Sequence, residues 1–157
     1  MNDASAALAA RLVLGVALTV SAVAKLRSRA AVQRQVALLV SDRLAPVVGR
    51  ALPAAEIVVA ILLVVWWSAV PGVVALVLLA AFTVVLVRAQ ARHVPCLCFG
   101  ASRLDAPAGS ASVIRNGVLG GLAVLAIGGP SGAGAGAAVA LCVVLGAITA
   151  AAVWVAR

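Results

Sequence analysis

Residues 52–89 read LPAAEIVVAILLVVWWSAVPGVVALVLLAAFTVVLVRA and carry one acid, Glu56, and one base, Arg88. About twenty predominantly apolar residues are enough to cross the hydrocarbon of a bilayer, and nearly two such lengths stand here on either side of Pro71-Gly72. That dipeptide punctuates helices, so the stretch predicts a hairpin of two spans, from about Leu52 to Ala69 and from about Val73 to Ala89. Pro53 falls in the first turn of the first, where its missing N–H costs no helical bond. Trp66 and Trp67 near the end of that span suit an interfacial belt.

Toward the amino end, residues 6–24 form another apolar run, interrupted by Arg11, which is long enough to snorkel to the headgroups. The run lacks a basic start and a clear small-residue cleavage site, so we read it as a retained span. It closes in a basic collar, Lys25-Leu26-Arg27-Ser28-Arg29. Residues 29–50 then place Val32, Val36, Leu39 and Val40 at helical spacing. Two readings stand, an interfacial helix ending before Pro46 and a solvated connection. Toward the carboxyl end, Ser110 or Ser112 suits the cap of a fourth span running from about Ser112 to Ile127. Gly128-Gly129-Pro130 breaks it, and a fifth runs from about Ala133 to Ala156, with Trp154 as its anchor. Small residues throughout let helix backbones approach closely in lipid. The expectation is an all-α polytopic membrane bundle of about five spans, and residues 1–157 read as a single integral membrane domain.

Composition excludes the alternatives. The chain has 157 residues, 66% apolar and only 10% charged, with a mean hydropathy of +1.25. An ordinary soluble domain carries about 25% charged residues, and a domain this small has too few polar side chains to cover its surface. The net charge of +8 does not mark a nucleic-acid binder, because the basic residues flank apolar spans and aromatics for base stacking are scarce. The bases sort by connection. Lys25, Arg27, Arg29, Arg34, Arg43 and Arg50 follow the first span, Arg88, Arg92 and Arg103 follow the third, and the second and fourth connections have none. The positive-inside rule then puts these two connections and the carboxyl end in the cytoplasm and the amino end outside the cell membrane.

Reactive groups are scarce. Arg92-His93-Val94-Pro95-Cys96-Leu97-Cys98-Phe99-Gly100 puts two of the three cysteines one residue apart in a polar break. A Cys-x-Cys disulfide closes a small, strained ring, which raises its reduction potential and makes it labile. Arg92, Arg103 and a helix end lower a nearby thiol pKa and favour the attacking thiolate, while Pro95, Phe99 and Gly100 restrict the local backbone. His93, Cys96 and Cys98 also form a partial ligand set for copper or zinc, so a metal carrier or assembly chaperone is the rival reading. Cys142, in the last span, reads as a small packing residue. Glu56 in the second span and Arg115-Asn116 in the fourth are expensive at membrane depth and expected to pair, Glu56 with either Arg115 or Lys25. A proton relay serving thiol exchange or a quinone is the functional alternative for these groups. Hydrolase triads, phosphate-binding loops and zinc-protease motifs are not present.

Four elements together carry a resemblance: Lys25-Leu26-Arg27 after the first span, Pro53-x-x-Glu56 opening the second, Cys96-Leu97-Cys98-Phe99-Gly100 after the third, and Arg115-Asn116 opening the fourth. In this order they resemble the methylamine utilisation protein MauE family, related to DoxX-like membrane proteins. The resemblance implies a helical membrane protein that assists maturation of the disulfide-rich, periplasmic small subunit of methylamine dehydrogenase beside a thioredoxin-like partner. It implies Cys96 and Cys98 as the redox pair. Leu97 stands where the resemblance leads us to expect a smaller residue such as glycine. The charge count sets the pair on the cytoplasmic side and the implied client outside, which passage of electrons across the membrane would reconcile.

Overall fold

The computed structural model describes residues 3–39, 41–92 and 110–128. Five helices follow in order: α1 Asp3–Arg27, α2 Arg29–Leu39, α3 Ala45–Val65, α4 Ala69–Ala91 and α5 Ser110–Ile127. At a rise of 1.5 Å per residue, α1, α3 and α4 extend for about 31–38 Å, enough for a hydrocarbon core of about 30 Å. These three are long and apolar enough to cross a membrane; α5 contains a shorter apolar segment, Ser112–Ile127. The fifth expected span, from Ala133, lies outside the described residues.

The distribution of side chains is that of a bundle in lipid. Leu12, Val16 and Val20 of α1, Ile61 and Val65 of α3, Val77 of α4 and Val118 of α5 face outward. Arg11, Ser21, Lys25, Glu56, Thr83 and Asn116 are buried. Water would favour the reverse, whereas hydrocarbon tolerates the outer valines and forces polar groups to find partners inside.

α1 packs chiefly on α3 and α4 chiefly on α5, with α1 also crossing α5 and α2 lying on α3. Leu14, Leu18, Leu63, Leu79 and Val124 fill the shared core. α3 and α4 follow one another in sequence yet touch little. Arg92 donates from Nη1 to the Leu38 carbonyl at 3.0 Å, and Ala89 packs on Leu39. The basic ends of α1 and α4 therefore meet α2 at one end of the bundle. The α3–α4 turn, with Trp66 and Trp67, forms the other.

Two expected boundaries are corrected. α3 starts at Ala45, with Pro46 in its first turn. Pro53 is consequently inside the helix and fully buried, and its ring deprives the Gly49 carbonyl of a helical partner. Close packing of α2 supports the helix there, since a Cβ on Gly49 would sit 2.8 Å from Gln33 Cγ. The second boundary is the hairpin turn, which is Trp66-Trp67-Ser68 rather than Pro71-Gly72. Ser68 caps α4 by accepting from the Val70 N–H at 3.3 Å, and Pro71 occupies the first turn, where it fits. Gly72 serves packing: a Cβ there would lie 2.7 Å from Ile127 Cγ1 and 3.2 Å from the Ile127 backbone nitrogen. Of the two readings of residues 29–50, the helix forms, with Val32, Gln35 and Leu39 on its buried side.

Gly72→Leu should therefore separate α4 from α5 and cost about 1–3 kcal/mol by overpacking, read as a lower thermal unfolding midpoint in micelles. Gly117→Ala, where a Cβ meets nothing within 4 Å, should hold or raise that midpoint, because alanine favours the helix by about 0.5–1 kcal/mol.

Candidate functional site

The polar groups buried in the bundle fall into three clusters. The first joins α1 to α3. Lys25 Nζ donates to Glu56 Oε1 at 2.6 Å and to Ser21 Oγ at 2.5 Å, and Ser21 Oγ donates to the same Glu56 oxygen at 2.9 Å. Ser21 and Lys25 are one turn apart on α1, so they share a face. Lys25 is 4% exposed and Glu56 fully enclosed, so each charge depends on the other for neutrality. Lys25 Nζ also lies 4.7 Å above the centre of the Phe82 ring, which adds a cation–π contact from α4. Among the described residues, Glu56 Oε2 has no hydrogen-bond partner.

The second cluster joins α4 to α5. Asn116 Nδ2 donates to Thr83 Oγ1 at 2.7 Å and to the Leu79 carbonyl at 2.9 Å, and Thr83 Oγ1 donates to the same carbonyl at 2.9 Å. The third closes the opposite end. Arg11 was expected to snorkel; it is instead 3% exposed and donates to carbonyls of Leu63 (3.4 Å), Trp66 (3.0 Å), Ala126 (3.2 Å) and Ser68. The ends of α3 and α5 leave carbonyls without helical partners, and a guanidinium fork placed among them satisfies several at once. Trp67 lies under the same guanidinium at 5.3 Å. Trp66 and Trp67 remain half exposed, as side chains of an interfacial belt are.

Of the residues singled out by sequence, Lys25 and Glu56 meet, and Lys25 is the one of the two expected partners in contact with Glu56. Asn116 is buried and its neighbour Arg115 exposed. Arg92 is exposed at the end of α4 and tied to α2. His93, Cys96, Cys98, Phe99, Gly100 and Cys142 lie outside the described residues. Ser21, Thr83, Phe82 and Gln35 were not expected at the site. Ser21 had a legible signal, a hydroxyl one turn before a span-end lysine. Thr83 and Phe82 had none, because their roles depend on which helices become neighbours.

Between α1, α2, α3 and α4 lies a cavity of about 230 Å³ at the basic end of the bundle. Its walls are apolar except for Lys25 and Gln35, with Leu39, Leu52, Phe82 and Val85 among them. Weak contact between α3 and α4 leaves this space, and α2 closes it from the side.

Lys25→Met should strand the Glu56 charge and cost about 3–5 kcal/mol, measured by unfolding in mixed micelles. The double change Lys25→Met with Glu56→Leu should recover most of that loss, since apolar groups of similar size can replace a buried pair without penalty. A double variant no more stable than Lys25→Met alone would contradict this.

No curated protein and no solved structure matches the chain. A family model, described as methylamine utilisation protein MauE, matches residues 3–129, a range that takes in all five helices and both the Lys25–Glu56 and Asn116–Thr83 clusters. The chain belongs to the MauE family of membrane proteins.

Proposed function

We propose that the chain is a membrane thiol–disulfide redox protein that assists maturation of a client through Cys96 and Cys98. The observation that carries this reading is how the two helices flanking the cysteine stretch are held. α4 is fixed to α2 through Arg92 and Leu38 and to α5 through Asn116 and Thr83. A reactive pair on their connection thus has firmly seated anchors on both sides. Arg88, Arg92 and Arg115 are exposed on those helices, and positive charge near a thiol favours its thiolate, the form that attacks.

In the exchange, a Cys96–Cys98 disulfide is attacked by a thiolate of a thioredoxin-like partner on its own side of the membrane, electrons from a client outside reaching that partner across the bilayer, and a mixed disulfide forms. The partner's second thiolate resolves it. The partner leaves oxidised, and Cys96 and Cys98 leave as a dithiol with both electrons. By family membership the process served is methylamine utilisation, and the client class is a disulfide-rich protein such as the methylamine dehydrogenase small subunit. The pair is assigned to the cytoplasmic side by the basic residues around it.

Cys96→Ser and Cys98→Ser should each abolish client maturation while insertion and thermal stability stay at the parent level, and Cys142→Ser should leave maturation intact. Normal maturation in both single variants would sink the redox reading. Stoichiometric copper or zinc that disappears with His93→Ala would replace it with metal carriage. A membrane-impermeant thiol reagent should label Cys96 and Cys98 from the cytoplasmic face after reduction. Labelling from the opposite face alone would reverse the assigned orientation.

A further inference from the structure

We infer that the cavity between α1, α2, α3 and α4 is a binding site for a quinone, which accepts the two electrons of the cysteine dithiol. The inference rests on the thiol reading above and names its acceptor. The cavity is larger than the roughly 150 Å³ that suffices for a single aromatic ring in an apolar core. Its walls follow the pattern of small-molecule sites, predominantly apolar with two polar groups, Lys25 and Gln35.

The polar groups select among ligands of the bilayer. Lys25 lies on the wall, but its charge is balanced by Glu56 at 2.6 Å. An anionic headgroup would bring a second negative charge beside a fully enclosed carboxylate and be repelled. A plain acyl chain would gain nothing from an ammonium at its end. A neutral apolar ring bearing carbonyl oxygens adds no charge beside the balanced pair and matches the apolar walls, Phe82 among them.

Position supports the role. Leu39, on the cavity wall, follows Leu38, whose carbonyl holds Arg92. Three residues separate Arg92 from Cys96, so even a fully extended chain tethers the Cα of Cys96 within about 15 Å of that of Arg92. In the step itself the two thiols lose two electrons and two protons and form one S–S bond, and the quinone gains both and becomes hydroquinone.

The test uses the full chain in quinone-free nanodiscs, with duroquinone, which has no open ring carbon for a thiol to add to, as the probe. Expected are saturable binding at one site, unchanged by the double change Cys96→Ser with Cys98→Ser, and hydroquinone formation by the reduced parent that this double variant lacks. Ala81→Trp, at the exposed rim of the cavity, and Val36→Trp should each weaken binding about tenfold. A photoreactive azidoquinone should label peptides containing Val32–Leu39 and Leu78–Val85 of the parent chain, which keeps the site testable should a variant misfold. Labelling elsewhere, absence of saturable binding, or equal displacement by hexadecane or palmitate would overturn the site. Saturable binding without hydroquinone formation would overturn the acceptor role. Client maturation that depends on Cys96 and Cys98 in a chain that binds no quinone would overturn this proposal and leave the thiol reading standing.

Discussion

A lysine and a glutamate enclosed between helices in apolar surroundings constrain everything around them. Neither Lys25 nor Glu56 can be charged alone there, because an isolated ion in hydrocarbon carries a desolvation penalty of several kcal/mol after relaxation. Their contact at 2.6 Å requires α1 and α3 to cross at fixed rotation and depth. Ser21 and Phe82 then complete the surroundings of the ammonium. A bundle of interchangeable valines and alanines has many near-equivalent packings. One ion pair that must close removes most of them, much as a single buried polar residue can fix register in a coiled coil.

The same logic operates at the other end of the bundle, where Arg11 gathers carbonyls from the ends of α3 and α5 and from the turn before α4. Asn116 and Thr83 tie α4 to α5 between the two ends. Hydrophobic burial cannot drive helix association where lipid is as apolar as leucine. Hydrogen bonds, close approach at Gly72 and packing do so instead. Among the described residues α3 and α4 share only weak packing, and they separate enough to leave the cavity beside Lys25.

This arrangement gives a functional asymmetry. The end carrying the turn is closed by Arg11 and bordered by tryptophans. The basic end contains a partly open apolar space, a charged pair at its edge and the two helices that bear the cysteine connection. Family membership ties such a chain to methylamine utilisation, and the thiol chemistry proposed for it needs a tethered pair, a nearby cation and access to an electron acceptor.

The class and the sites of cost are legible in the residues alone. For α2 pattern left a helix and a solvated connection both open. Long apolar runs can satisfy their backbone in lipid only as helices, so three long spans and the shorter apolar α5 were within reach of pattern alone. So was the need of Glu56 for a cation, which follows from residue chemistry and depth. Tertiary structure decided which cation, because Lys25 and Arg115 are equally basic and only helix neighbourhood separates them. It also decided that Pro71-Gly72 lies inside a helix. A proline is compatible with a turn and with a first helical turn alike, and the cap at Ser68 and the contact of Gly72 with Ile127 chose between them. Arg11 looked like a snorkelling side chain because the carbonyls it binds come from residues more than fifty positions away. The cavity had no trace in the sequence, since a space exists only by virtue of the helices that fail to meet across it.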